Sequence, residues 1–165
     1  MHPYYLSRIR EITRSLGIGN SILNPYELKT KGECITQSKD IDALKGLVNI
    51  SVSCSHALRR QHWRRRNAKN CGYCVPCIFR RAALHKARMD SSSLYGIDVL
   101  GGELTERDQL ESANDLRAIR DFLRDPVTAN TARKLLLATA PLPNLDAYAQ
   151  LVCRGFAEVK VWLKV

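Results

Sequence analysis

No run of about eighteen or more apolar residues occurs in the 165-residue chain, so the sequence offers no helix to span a membrane. The opening stretch "MHPYYLSRIR" holds no apolar core followed by a small-residue cleavage site, which argues against a secretory signal. The expectation is a cytoplasmic chain, whose thiols stay free or bind metal rather than pair as disulfides. Internal repeats and low-complexity tracts are missing as well. At this length one domain with a real core fits, and two large ones do not.

The most informative absence is of acid. Between Arg59 and Arg88 there is no Asp or Glu, yet ten Lys or Arg stand there: Arg59, Arg60, Arg64, Arg65, Arg66, Lys69, Arg80, Arg81, Lys86 and Arg88. The formal net charge is +10, so the whole excess lies in this stretch. Such a concentration attracts phosphate, whether of a nucleotide, a nucleic acid or an acidic partner. The plainer reading is a solvated basic surface.

The elements read mainly as helix. Tyr5, Leu6, Ile9, Ile12 and Leu16 share one face of a first helix, which Gly17 ends. "SILNPYEL" reads as extended, because Asn24 precedes a proline. Thr30 and Glu33 have capping-box spacing and start a short helix through about Thr36. A second runs from about Asp40 to Leu47 on Ile41, Leu44 and Leu47. Residues 48–70 are poor in helix signals and end in a polar loop, "RRRNAKN". Pro76 suits the first turn of a helix reaching about Met89, with Ile78, Ala82 and His85 facing inward. After the loop "SSSLYG", three helices are expected, over about 105–124, 126–138 and 145–163.

Four of the six cysteines form a pattern. Cys54, Cys71, Cys74 and Cys77 are spaced C-x16-C-x2-C-x2-C. A zinc ion takes four ligands in a tetrahedron, and a C-x2-C turn delivers two sulfurs to one ion without strain. Gly72 permits the tight backbone of that turn. Four thiolates prefer Zn²⁺ to hard cations. An iron–sulfur cluster also accepts four thiolates, and redox-active thiols are a third option. A closed four-cysteine zinc site has no open position and builds structure rather than catalysing. Cys34 and Cys153 read as small buried residues, and His56, His62 and His85 as surface or packing residues. Arg80, three residues beyond Cys77, can pair with a carboxylate or phosphate.

With these residues in hand, "NPYELKTKGE", "SC" and "CGYCVPCIFRRAA" together resemble the C-terminal portion of the 7-cyano-7-deazaguanine synthase (QueC-like) family. In that family a proline-containing strand leads to a Thr/Ser-Lys-x-Glu helix start. A Ser-Cys and a Cys-Gly-x-Cys-x-x-Cys-x-x-Arg follow, and the four cysteines bind zinc. The matching positions here are Pro25; Thr30, Lys31 and Glu33; Ser53 and Cys54; and Cys71, Gly72, Cys74, Cys77 and Arg80, within roughly residues 20 to 84.

The resemblance implies an ATP-dependent ligase that adenylates the carboxylate of 7-carboxy-7-deazaguanine and amidates it on the way to a nitrile. It implies the C-terminal part of an adenine-nucleotide α-hydrolase-like (ATP-pyrophosphatase) α/β fold over residues 1–90, followed by a helical extension over 91–165. Lys31 and Arg80 then lie by the nucleotide or substrate, and no catalytic residue is assigned. The family's Ser-Gly-Gly-x-Asp-Ser loop, which cradles ATP phosphates, is not in the sequence: Gly17-Ile18-Gly19 and Gly101-Gly102 lack the flanking Ser and Asp. ATP binding is therefore expected from another stretch of polypeptide. The long Cys54–Cys71 gap and the helical extension look most like divergent QueC-like proteins of bacterial anti-phage gene clusters. For those, the partner is a deazaguanine-type small molecule or a protein to be modified with one.

Two further readings compete. A zinc-stapled module can grip nucleic acid through Arg59–Lys69, with Trp63 stacked on a base. Alternatively, the helices after residue 105 dock a partner.

Overall fold

The computed structural model describes residues 3–104 and 113–164, and among these it is mainly helical, with no strand. The α-helices are α1 (Pro3–Ser15), α2 (Lys31–Thr36), α3 (Ile41–Val48), α4 (Val75–Lys86), α5 (Asn114–Phe122), α6 (Ala129–Leu137) and α7 (Leu145–Leu163). Two 3-10 turns, Arg60–His62 and Ser92–Leu94, stand between them. Residues 105–112 of the expected 105–124 helix lie outside the described residues; its remainder is α5.

Local chemistry sets the helix ends. Thr30 and Glu33 form the expected capping box at α2. Asp40, Thr128 and Asn144 cap α3, α6 and α7 by accepting from backbone N–H groups three residues on. Pro76 sits in the first turn of α4. That helix stops at Lys86, three residues short of the expected Met89, because Arg88 takes a positive φ of 56° and turns the chain. The stretch read as extended bends instead, through a turn at residues 25–28 closed by Lys29 N–H donating to the Tyr26 carbonyl.

The core is centred on α4. Its buried face (Cys77, Ile78, Arg81, Ala82, Ala83, Leu84) meets α7, α2 and α5, and α6 packs on the outer side of α7. One apolar cluster runs from Trp63 through the cysteines, Ile97, Val99 and Leu116 to Val159, Trp162 and Leu163. Burying that surface, at roughly 25 cal/mol per Å², is the main favourable term in holding the helices together.

Arg81 is the polar centre of this core. It is 1% exposed and forms ion pairs with Asp90 (3.3 Å) and Asp98 (3.1 Å). Its guanidinium lies between the rings of Tyr95 (4.6 Å) and Trp162 (4.9 Å). It thereby joins the loop at 90–98 to the last turns of α7.

The N-terminal apolar face behaves differently from expectation. Of the five residues placed on it, only Leu6 is buried; Tyr5, Ile12 and Leu16 are exposed. Among the described elements, no other helix brings its backbone close to α1, although Pro3 lines a cavity with Leu136 of α6 and Tyr148 of α7. The helix α1 is tethered instead through Arg10, whose Nε donates to the Ile22 carbonyl at 2.8 Å. Ile18, Leu23, Tyr26 and Leu28 continue the exposed apolar surface.

Candidate metal centre

Two separate stretches converge to build the site. Residues 71–74 make a turn that ends as the N-cap of α4, and Cys77 follows in its first turn. Thiolates gain there from the positive end of the helix dipole. Gly72 takes φ +93°, and a Cβ added to it would meet the Ile97 carbonyl oxygen at 2.4 Å and Tyr95 Cβ at 2.8 Å. Glycine is therefore required twice over, by conformation and by space.

Cys54 is brought in by Asn70. The buried amide of Asn70 accepts from Ser53 N–H at 3.0 Å and donates to the Ser51 carbonyl at 3.1 Å, aligning residues 51–53 beside Cys71. The backbone around Asn70 is itself braced by a parallel bridge to Tyr95. Gly96 N–H donates to the Asn70 carbonyl and Ile97 N–H to the Cys71 carbonyl.

The resulting geometry suits one ion. All four sulfurs lie within 4.8 Å of one another; Cys71 and Cys77 Sγ are 3.8 Å apart, and Cys74 and Cys54 Sγ are 4.0 Å apart. A tetrahedron with Zn–S bonds of about 2.3 Å has edges of about 3.8 Å. A multi-iron cluster spreads its thiolates over different irons and holds them farther apart. A disulfide needs about 2.05 Å, and all six cysteines are free. The four cysteines can therefore hold a single metal ion, and an all-thiolate set fits Zn²⁺.

Backbone donors complete the shell. His56 and Cys71 N–H point at Cys54 Sγ (3.3 and 3.2 Å), and Tyr73 and Cys74 N–H at Cys71 Sγ (3.5 and 3.3 Å). Such bonds favour thiolate over thiol. Hydrogen bonding with Cys71 pulls the Cys54 thiol down to about 7, and hydrogen bonds led by that with Cys54 pull Cys74 lower still. Interaction with Cys54 drives Cys71 and Cys77 up. Four crowded thiols cannot all ionise unless a shared cation offsets the repulsion. Cys71, Cys74 and Cys77 are 0% exposed and Cys54 is half-buried, so an ion held by all four sulfurs would have no open position.

The other candidates fall in different places. Lys31 is exposed and lines a groove of about 440 Å³ with Lys29, Pro76, Phe79, Val152 and Phe156. Arg80 does not line that groove: its Nη2 donates to the Val48 carbonyl (2.7 Å) and Ser51 Oγ (2.8 Å), tying α4 to the end of α3. At the start of α2, Glu158 of α7 accepts from Thr30 Oγ1 (2.5 Å), Gly32 N–H (3.3 Å) and Lys86 Nζ (2.8 Å). Arg154 holds the Glu33 carboxyl below its usual range.

Some expectations need correction. Trp63 is 3% exposed, with its ring against Gly96, so it cannot stack on a base. Cys34 and Cys153 are half-buried, and His85 is exposed. As surface and packing residues were expected to be, His62 is exposed and His56 rests against the Tyr73 ring, 5.5 Å between centroids. Asn70, Arg81 and Glu158 were not singled out by sequence. The signals were slight: an amide directly before a ligand cysteine, and one arginine among ten cations.

Compared with protein-family models, with curated proteins and with solved structures, the chain finds no match.

Proposed function

We propose that the chain is the metal-clamped part of a 7-cyano-7-deazaguanine synthase-like ligase, whose ATP-binding Ser-Gly-Gly-x-Asp-Ser part is supplied by other polypeptide. Zn²⁺ is the resident ion, and the clamped part completes an adenine-nucleotide α-hydrolase-like fold when the two meet. The ligand is a deazaguanine-type molecule, free or carried on a partner protein, in a setting such as phage defence.

The observation that carries this reading is the convergence of Cys54 with Cys71, Cys74 and Cys77, in the order of that family though across a longer Cys54–Cys71 gap, directly ahead of α4. Two others support it. The Thr30-Lys31-Gly32-Glu33 helix start forms beside a groove bounded by Lys31 and the aromatic rings of Phe79 and Phe156. A planar apolar heterocycle with a carboxylate suits such a groove, with Lys31 available for the charge. The unburied apolar face of α1 and residues 18–28 offers a docking surface for the ATP-binding part.

The test is saturation-transfer NMR of 7-carboxy-7-deazaguanine with the zinc-loaded chain. Transfer is expected; Lys31→Ala weakens it at least several-fold with metal content unchanged. No transfer to the wild-type chain would remove the substrate assignment.

A further inference from the structure

Seven of the ten cations between Arg59 and Arg88 fall into two populations. Arg65, Arg80, Arg81 and Lys86 have internal partners: Glu103, the Val48 carbonyl, Asp90 with Asp98, and Glu158. Arg64, Arg66 and Lys69 are exposed and make no hydrogen bond or ion pair among the described residues. Glu103, the carboxylate that feels Arg64, is held bidentately by Arg65 at 2.9 and 2.6 Å. The three free cations line one open cleft of about 580 Å³, together with Asn49, Asn67 and Ser93.

We infer that this cleft binds the phosphodiester backbone of a nucleic acid. Its lining is three guanidinium groups, that of Arg65 already paired with Glu103, an ammonium, two amides and a hydroxyl, a donor set suited to phosphate and sugar oxygens. Ala68 and Leu94 are its apolar residues and no aromatic ring lines it, unlike the aromatic-rich centre of a protein-binding site. Trp63 and Tyr95, the neighbouring aromatic residues, are buried, so bases have no ring to stack on and recognition is independent of sequence. Arg64 also borders a second cavity of about 720 Å³, whose lining mixes Arg59 and His62 with the carboxylates of Glu103 and Asp115, so the basic lining is that of the first cleft. That cleft is open rather than enclosed, so a polymer can run across it.

The basic lining is held in place rather than free to swing. Arg65 N–H donates to the Gly96 carbonyl (3.0 Å) and its Nε to the Tyr95 carbonyl (2.7 Å), so the residues on either side of it project from a latched backbone. This site is distinct from the Lys31 groove and does not depend on the ligase reading.

The experiment is fluorescence anisotropy of labelled oligonucleotides of about 20 nucleotides with the zinc-loaded full chain at 50 and 200 mM salt. Single-stranded RNA, single-stranded DNA and duplex DNA form separate arms. Three phosphate contacts predict a log–log salt slope of about −2 on single strands, or a roughly 20-fold loss of affinity over that range. The Arg64→Ser/Arg66→Ser/Lys69→Ser variant, with normal circular dichroism and metal content, is expected to lose most of the affinity and a slope of about 2. A control with the same net charge, Lys39→Ser/Lys134→Ser/Lys160→Ser, is expected to bind like wild type. The inference fails if wild type binds none of the three probes or the control loses as much as the cleft variant. It fails equally if poly-glutamate at matched charge competes as well as unlabelled oligonucleotide, which would point to an acidic protein.

Discussion

Replacing Cys74 by Ala removes one of the four sulfurs and tests the centre on which the core is built. Structural zinc in small sulfur- and nitrogen-ligand peptides binds with roughly 10–16 kcal/mol, so one ligand in four corresponds to about 3 kcal/mol. That is a loss of about two decades in zinc affinity. Cys74 is 0% exposed, caps α4, and directs its N–H at Cys71 Sγ, so its change is felt in both halves of the ligand set. At fixed free zinc the linked stabilisation falls by a similar amount, and the midpoint of thermal unfolding by about 6–12 °C. Metal content by plasma mass spectrometry, chelator competition and thermal melts read this out, with Cys34→Ala and Cys153→Ala as controls that keep their zinc. Hydrogen exchange should quicken across residues 54–90, including the Cys71 amide that donates to Cys54 Sγ. One zinc per chain at wild-type affinity in Cys74→Ala, or a melting point indifferent to chelator, would refute the reasoning.

Arg81→Met leaves Asp90 and Asp98 without their cation and removes the contact between Tyr95 and Trp162; a loss of about 3–5 kcal/mol is expected in urea unfolding, and an unchanged midpoint would contradict the buried ion pairs. Gly72→Ala forces a side chain to φ +93° against the Ile97 carbonyl, and should weaken zinc binding at least about 10-fold in chelator competition. Arg65 and the Asp98 N–H hold the Glu103 carboxyl below its usual range, so its contribution is complete above the unfolded value of about 4.3 and is lost as pH falls through the lower folded value. Glu103→Gln should therefore be less stable at pH 7 and show a shallower decline between pH 5 and pH 3 than wild type; since both chains carry the same zinc site, equal declines would exclude the carboxylate.

What the sequence revealed follows the reach of each signal. Thr30 with Glu33, Pro76, and the C-x2-C-x2-C run are local, and the structure places each where its spacing indicated. Glu158 meets Thr30 across 128 positions and Arg81 meets Asp98 across 17, and no local pattern encodes either pairing. The apolar period of α1 identifies which face would be buried, not whether anything covers it; Ile12 and Leu16 lie open. Trp63 misled because its neighbours in sequence are arginines, whereas its neighbour in space is Gly96, whose missing side chain admits the indole ring. Arginine numbers indicated a basic surface, but only the partners separate Arg81, which is internal, from Arg66, which is free.

That separation ties the metal to the basic cleft. Arg64, Arg66 and Lys69 stand in the stretch between Cys54 and Cys71, both of which belong to the four-cysteine cluster that could hold one ion. Without an ion that stretch loses a sulfur anchor at each end and keeps the Asn70 hydrogen bonds and the Arg65 latch to Glu103. Ordering a residue costs about 1–2 kcal/mol of backbone entropy, so reassembling even two or three residues on the ligand offsets several kcal/mol of binding. Chelated chain should therefore bind the RNA or DNA probe at least about 10-fold more weakly, although every cation is still present. Added zinc should restore the affinity in wild type but not in Cys74→Ala. Equal affinity with and without metal would show that charge alone, and not the clamped backbone, makes the cleft.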